Sequence, residues 1–319
     1  MNRRTLLATP LLLATPALAQ GWPTRPVTII VPFAAGGNVD AIARLAAAEL
    51  SRKLGQSVVV ENAPGAGGTI GTERAARAAP DGHTLLLGVE SPLVIAPFVT
   101  PGAVRYDTLA DFAPVGMLAS LPLTLVGRMD LGPADLAALV EAARAREMTY
   151  ATSGTGTSLH LLGALIAQRT GARLEHVPYR IASQIPSDLI GGRLDLAVMT
   201  VTTTAPLIRE GRIRGYGVSA AAPHPAIPDV PPLASLPALA GLELLAWQAI
   251  LAPARTDPAI IARLAAVLEE VLADGAFRTR LTQAGMTPWA RTPTELGTLL
   301  RAELARYGEV VRAGNIRAE

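Results

Sequence analysis

The sequence predicts an α/β chain built from two sheet-and-helix units. Apolar, β-branched runs alternate with helix-period segments from Thr28 to Leu87, and the alternation resumes from Thr149 to Ser219. A late apolar run, Leu244 to Leu251, would return the chain to the first unit. With 319 residues, half of them hydrophobic, there is material for two cores. The expected boundaries are 20–122 together with 245–319 for the first unit and 123–244 for the second.

Residues 1–19 stand outside that fold. Arg3-Arg4 forms a basic start, Leu6 to Leu13 is apolar, and Ala17-Leu18-Ala19 is a small-x-small cleavage site before Gln20. This reads as a secretory signal, too short for a membrane span, and its adjacent arginines suit twin-arginine export as well as Sec. Losing Arg3 and Arg4 takes Lys+Arg from 28 to 26, against 26 Asp+Glu, so the mature chain is formally neutral. No basic cluster with interleaved aromatics appears, and no nucleic-acid partner is expected. The absence of cysteine excludes disulfides, a lipid-anchoring cysteine and thiolate metal sites. A soluble periplasmic product is expected.

Thr28 to Val31 reads as a buried strand stopped by Pro32. Gly36-Gly37 then allows a tight turn, Asn38 is the expected N-cap, and Ile42, Leu45, Ala46, Leu50 and Leu54 show helical spacing up to Gly55. A strand, a glycine turn and a helix start together expose unpaired N–H groups and a positive dipole end. They suit a carboxylate or a phosphate, making Phe33, Gly36, Gly37, Asn38 and Asp40 the first candidate site residues.

Val58 to Val60 is a second strand, followed by the glycine-rich stretch Gly65 to Gly71. No Gly-Lys-Ser/Thr follows, and Ile70 occupies the third-glycine position of a dinucleotide fingerprint, so this is read as a structural turn opening a helix over Thr72–Ala79. Thr84 to Leu87 is a third strand with Glu90 and Ser91 just beyond its end. Glu90 is read as a solvated rim charge or as a partner for a donor on a ligand. Three loops thereby share the carboxyl edge of a parallel sheet, the edge at which such folds bind ligands.

Pro114 to Gly127 is apolar and lightly charged, suited to crossing between units. Pro133 opens a helix, and the strand Thr149 to Thr152 leads into Ser153-Gly154-Thr155-Gly156-Thr157-Ser158 before a helix through Ile166. Capping needs one hydroxyl and this turn has four, which points to ligand binding as well. Arg173 to Tyr179 is a strand with its edge loop at Pro178-Tyr179-Arg180, Leu194 to Met199 another with an edge loop Thr200 to Thr204, and Ile213 to Ser219 the last of this unit. Two helices close the chain, one starting at Asp257-Pro258 and one at the capping box Thr292-Pro293-Thr294-Glu295.

No catalytic constellation emerges. The histidines at 83, 160, 176 and 224 lack metal-ligand spacing, and neither H-E-x-x-H nor G-x-S-x-G occurs. His160 falls seven residues after Ser153, but within the helix the serine turn opens, and is read as a helix-face residue. No metal or cofactor is implied.

With these stretches in view, the chain resembles the solute-binding proteins of tripartite tricarboxylate transporters, the Bug/TctC family. The resemblance rests on Trp22-Pro23-Thr24-Arg25-Pro26-Val27, Val31-Pro32-Phe33-Ala34-Ala35-Gly36-Gly37, Val59-Val60-Glu61-Asn62 with Pro64 to Gly68, and Ala79-Pro80-Asp81-Gly82-His83. It continues through Tyr150 to Gly154, His176-Val177-Pro178-Tyr179, Gly191 to Asp195, Pro228-Asp229-Val230-Pro231 and Leu251-Ala252-Pro253. It implies a two-lobed periplasmic binding protein fold of type II-like form. Each lobe would be a mostly parallel sheet flanked by helices, with the ligand cleft between them. It also implies a monomer that binds a small organic carboxylate and delivers it to membrane permease subunits. Presentation of the liganded form to a two-component kinase is the alternative role.

By this resemblance the Phe33–Asp40 turn and the Ser153–Ser158 turn meet across the cleft and hold the carboxylate. The chain departs from the family pattern at Asn38-Val39-Asp40, at Arg180 to Gln184 after Pro178-Tyr179, and at Met199 and Thr200, where members often carry an acid and then Asn. Such an acid would suit an amino-acid ammonium. Its absence implies a mono- or dicarboxylate with an apolar or aromatic body, unless Glu90 supplies a displaced acid.

Overall fold

The computed structural model describes residues 21–314. The expected signal segment lies outside the described residues. β1 (Val27–Val31), α1 (Asn38–Leu54), β2 (Val58–Asn62), α2 (Thr69–Ala76) and β3 (Thr84–Val89) form the first series. The three strands pair in parallel with β1 central; the apolar residues of β1 and β3 are buried on both faces, as continuous apolar runs require, while β2 at the edge leaves Val59 exposed. A short α3 (Ala96–Val99) follows.

The second series is α4 (Leu136–Ala145), β5 (Met148–Thr152), α5 (Ser158–Thr170), β6 (Leu174–Pro178), α6 (Ile185–Ile190), β7 (Leu196–Thr200), α7 (Val201–Arg209) and β8 (Ile213–Val218). Here β7, β5 and β6 pair in parallel. Before them runs β4 (Phe112–Arg128), and after them β9 (Leu245–Pro253), α8 (Pro258–Ala273), α9 (Gly275–Gln283), the two-residue β10 (Thr287–Pro288) and α10 (Pro293–Gly314).

β4 joins the two parallel trios. Its residues from Phe112 to Pro122 pair antiparallel with β9, and from Leu123 onward it pairs antiparallel with β7 and β8. The change of partner falls at Pro122, whose missing N–H cannot extend a ladder. Ser219, fully buried, stitches the crossing: its hydroxyl accepts the Leu123 N–H at 2.9 Å and donates to the Leu244 carbonyl, while Leu244 N–H donates to the Ser219 carbonyl at 3.0 Å. One hydrophobic core extends along the sheet through both series, with Trp247, Phe277 and Tyr307 among its largest members.

Several local expectations need correction. The N-cap of α1 is Gly37, not Asn38, and the capping role passes to Asp40, which accepts the Gly36 N–H at 3.0 Å. α2 begins at Thr69 after a turn over Ala66–Gly68, three residues earlier than expected. The helix expected from Pro133 starts at Leu136, capped by Asp135. Thr200 to Thr204 is no edge loop, since Val201 already starts α7 and the Thr204 hydroxyl donates back to the Thr200 carbonyl. Three helices, not two, close the chain; α9 escaped reading because only Phe277 and Leu281 of it are buried. The Asp257 cap and the Thr292–Glu295 capping box stand as expected.

Candidate ligand-binding cleft

The β1–α1 and β5–α5 turns face one cavity of about 730 Å³, counted out to its open mouth. In the first turn Gly36 takes a left-handed φ of 85°, which a side chain would strain. Asp40 braces the turn from behind, taking the Gly36 N–H, Arg44 at 3.0 Å and the Asn62 amide at 3.0 Å. Burial alone would push its carboxyl up, but these three donors outweigh burial and hold it below the usual carboxylate value. The N–H groups of Gly37, Asn38 and Val39 have no acceptor among the described residues, so the start of α1 offers donors and a positive dipole end to the cavity.

In the opposite turn Thr157 caps α5, its hydroxyl accepting the His160 N–H at 3.2 Å and donating to the Gly154 carbonyl at 2.7 Å. Ser153 faces the cavity with its hydroxyl unpartnered. Behind the turn the His160 and His176 rings stack at 4.2 Å between centroids, with His176 Nε2 2.7 Å from the Thr152 hydroxyl. Burial lowers His160 to about 4; burial, then the neighbouring ring, lowers His176 to about 3. Both rings are neutral supports for the turn.

Glu90 is the principal correction. It is buried, not a solvated rim charge. Its carboxyl accepts the Ser158 hydroxyl at 2.6 Å, the Ser91 hydroxyl at 3.3 Å and the Trp247 N–H at 2.9 Å, while Ser91 Oγ accepts the Ser158 N–H at 3.0 Å. Burial pushes this carboxyl up, and the donors offset only part of the effect. Glu90 and Ser91 follow β3, Ser158 starts α5, so the network ties the two sheet halves at the cleft floor. The glycine-rich turn touches across as well: a Cβ on Gly67 would come within 2.8 Å of the Thr155 carbonyl.

Of the residues expected at the site, Phe33, Gly37, Asn38, Glu90, Ser91, Ser153, Ser158, Arg180 and Thr200 line the cavity. Gly36, Asp40, Gly154, Thr155 and Thr157 shape the two turns without lining it. Tyr179 is turned to Asp188, its hydroxyl donating at 2.7 Å. Met199 packs in the core with Val126 and Leu189, so its position carries no information about an ammonium partner; Thr200 faces the cleft instead. Arg180 is the only cationic residue lining the cavity and has no hydrogen bond or ion pair among the described residues.

Sequence reasoning missed Gln248, Leu123 and Ala246 on the crossing strands, and Ile181 to Ser183 beyond β6. Gln248 carried a signal, as the lone amide inside the apolar run Leu244–Leu251.

Two sheet halves joined by crossing strands, with helix starts opposed over a cleft, define a two-lobed solute-binding protein. The chain belongs to the TctC family, described as tripartite tricarboxylate transporter family receptors, whose family model matches residues 42–316. Solved structures agree over nearly the whole chain. The periplasmic binding protein BugD is 31% identical with a TM-score of 0.87, over 93% of this chain and 100% of its own. MatC from Rhodopseudomonas palustris with bound malate is 33% identical with a TM-score of 0.85, over 91% and 100%. A second R. palustris protein, with adipate, is 31% identical with a TM-score of 0.87, over 93% and 100%. This is a family of transporter receptors, not of enzymes.

Proposed function

We propose that the chain is exported to the periplasm by residues 1–19, captures a small organic carboxylate between lobes 20–122 plus 245–319 and 123–244, and delivers it to a tripartite tricarboxylate-type permease. One observation carries the reading: unpaired N–H groups at the start of α1, the free hydroxyl of Ser153 and the unpaired Arg180 guanidinium all border one cavity whose walls include Phe33, Leu123 and Leu159. Such donors make short, charge-assisted bonds to a carboxylate, and the apolar walls accept its body. Malate and adipate in the related structures support the class of ligand. Phe33, Gly37, Asn38, Ser153, Arg180 and Thr200 are the contacts assigned to it, with Glu90, Ser91 and Ser158 closing the floor.

A thermal-shift screen against organic acids tests this. A ligand that binds only the folded protein raises its stability by about 2.7 kcal/mol at a hundredfold excess over Kd. Arg180→Gln should weaken the responding acid by about tenfold, the loss of one charge-assisted contact, without changing the unliganded midpoint. A screen without any response would contradict the assignment.

A further inference from the structure

Gln248 sits at the bottom of the cleft, 1% exposed, yet its side-chain amide makes no hydrogen bond within the described protein, and Oε1 is fully enclosed. Buried amides are ordinarily satisfied, so an enclosed one that borders a ligand cavity is a group kept for the ligand. The strand geometry fixes where it points. Side chains alternate along β9, so Ala246 and Gln248 share the face that lines the cavity, while Trp247 enters the core on the other.

The polar groups of the cavity separate by depth. Arg180 and Ser183 lie at the exposed rim; Glu90, Ser91 and Gln248 lie on the buried floor. The floor holds no cation. Ser158, Ser91 and the Trp247 N–H all donate to Glu90, so its carboxyl is engaged by the protein itself. A carboxylate driven to the floor would be enclosed beside this carboxyl with no cation to neutralise it. A neutral hydroxyl or carboxamide would suit the place, because the Gln248 amide both accepts and donates.

We propose that Gln248 is the specificity-determining residue for the ligand end remote from its anchoring carboxylate, and that this end bears a neutral hydroxyl or carboxamide group on an apolar body. The ligand class is thus a monocarboxylate with a distal neutral polar group. This rests on the carboxylate reading of the cleft.

The test uses isothermal titration of the purified protein with three matched series of increasing chain length: linear alkanoates, ω-hydroxyalkanoates and α,ω-dicarboxylates. In the wild type the best hydroxy acid should bind at least about tenfold tighter than the alkanoate and the diacid of its own length. Gln248→Leu should erase that preference by weakening the hydroxy acid while leaving the alkanoate within about twofold. Gln248→Met, closer in shape, serves as the second variant should the first fail to fold, as judged by its unliganded melting. A diacid binding tightest in the wild type overturns the proposal, as does equal weakening of all three series in the variant. Either result leaves the carboxylate reading intact. Silence from every acid removes that reading, and this inference with it.

Discussion

Asp40 and Glu90 are both buried carboxyls beside one cleft, and their neighbours set them to opposite tasks. Asp40 faces a guanidinium and two N–H donors and stays ionised; Glu90 meets only neutral donors deep in the fold, where burial dominates. Asp40→Ala should cost about 1–3 kcal/mol in denaturant unfolding, because the Gly36 N–H and the Asn62 amide lose their acceptor. The lowered pKa of Asp40 means its contribution is present above the unfolded carboxyl value and is lost as pH falls through the folded one. Glu90 has the opposite sign: raised, it favours folding at acid pH and opposes it as pH climbs through the folded value. The stability of Glu90→Gln relative to wild type should therefore increase from acid to neutral pH, which paired melts at several pH values measure. His160 adds an acid limit. Its ring is neutral in the fold, with a pKa near 4, so stability should decline below the unfolded value of 6.5 by up to about 1.4 kcal/mol per pH unit, and His160→Phe should flatten that slope. At this scale the sequence was only partly legible. The glycine turn at Gly36 and the Thr292–Glu295 box are local and could be read directly. The burial of Glu90 depends on Ser158 and Trp247, 68 and 157 residues away, which no local pattern contains.

The elements that make the cleft are the two helix starts and the two crossing strands. Opposed starts of α1 and α5 could be foreseen, since each follows an apolar strand and a glycine-bearing turn. The crossing strands could be placed but not their inner faces: β4 and β9 read as continuous apolar runs, and only register shows that Ala246 and Gln248 turn toward the ligand side. The threonines after β7 misled for a related reason, because a hydroxyl-rich stretch fits a loop as well as a helix start whose hydroxyls bond backward. Ser219 joins three crossing segments through one hydroxyl. Ser219→Ala should cost about 2 kcal/mol, as it leaves the buried Leu123 N–H and Leu244 carbonyl unpaired, and should also lower ligand affinity by loosening the crossing. Unfolding curves and titrations on the same variant check both.

For the whole molecule, the two halves meet through the Glu90–Ser158–Ser91 network and through the close approach of Gly67 to Thr155. These contacts join the two halves across the cleft, so separating the halves there would break them. Gly67 also adopts a φ of 64°, so Gly67→Val strains its own turn and presses on Thr155; it should shift the lobes apart, seen as a larger radius of gyration by small-angle scattering. The start of α1, Ser153 and Arg180 should together recognise a carboxylate by its charge. Isothermal titration of the best organic acid beside its own primary amide, which keeps the shape and loses the charge, addresses it most directly. The acid should bind saturably and the amide at least about tenfold more weakly. Equal affinity for acid and amide would contradict it.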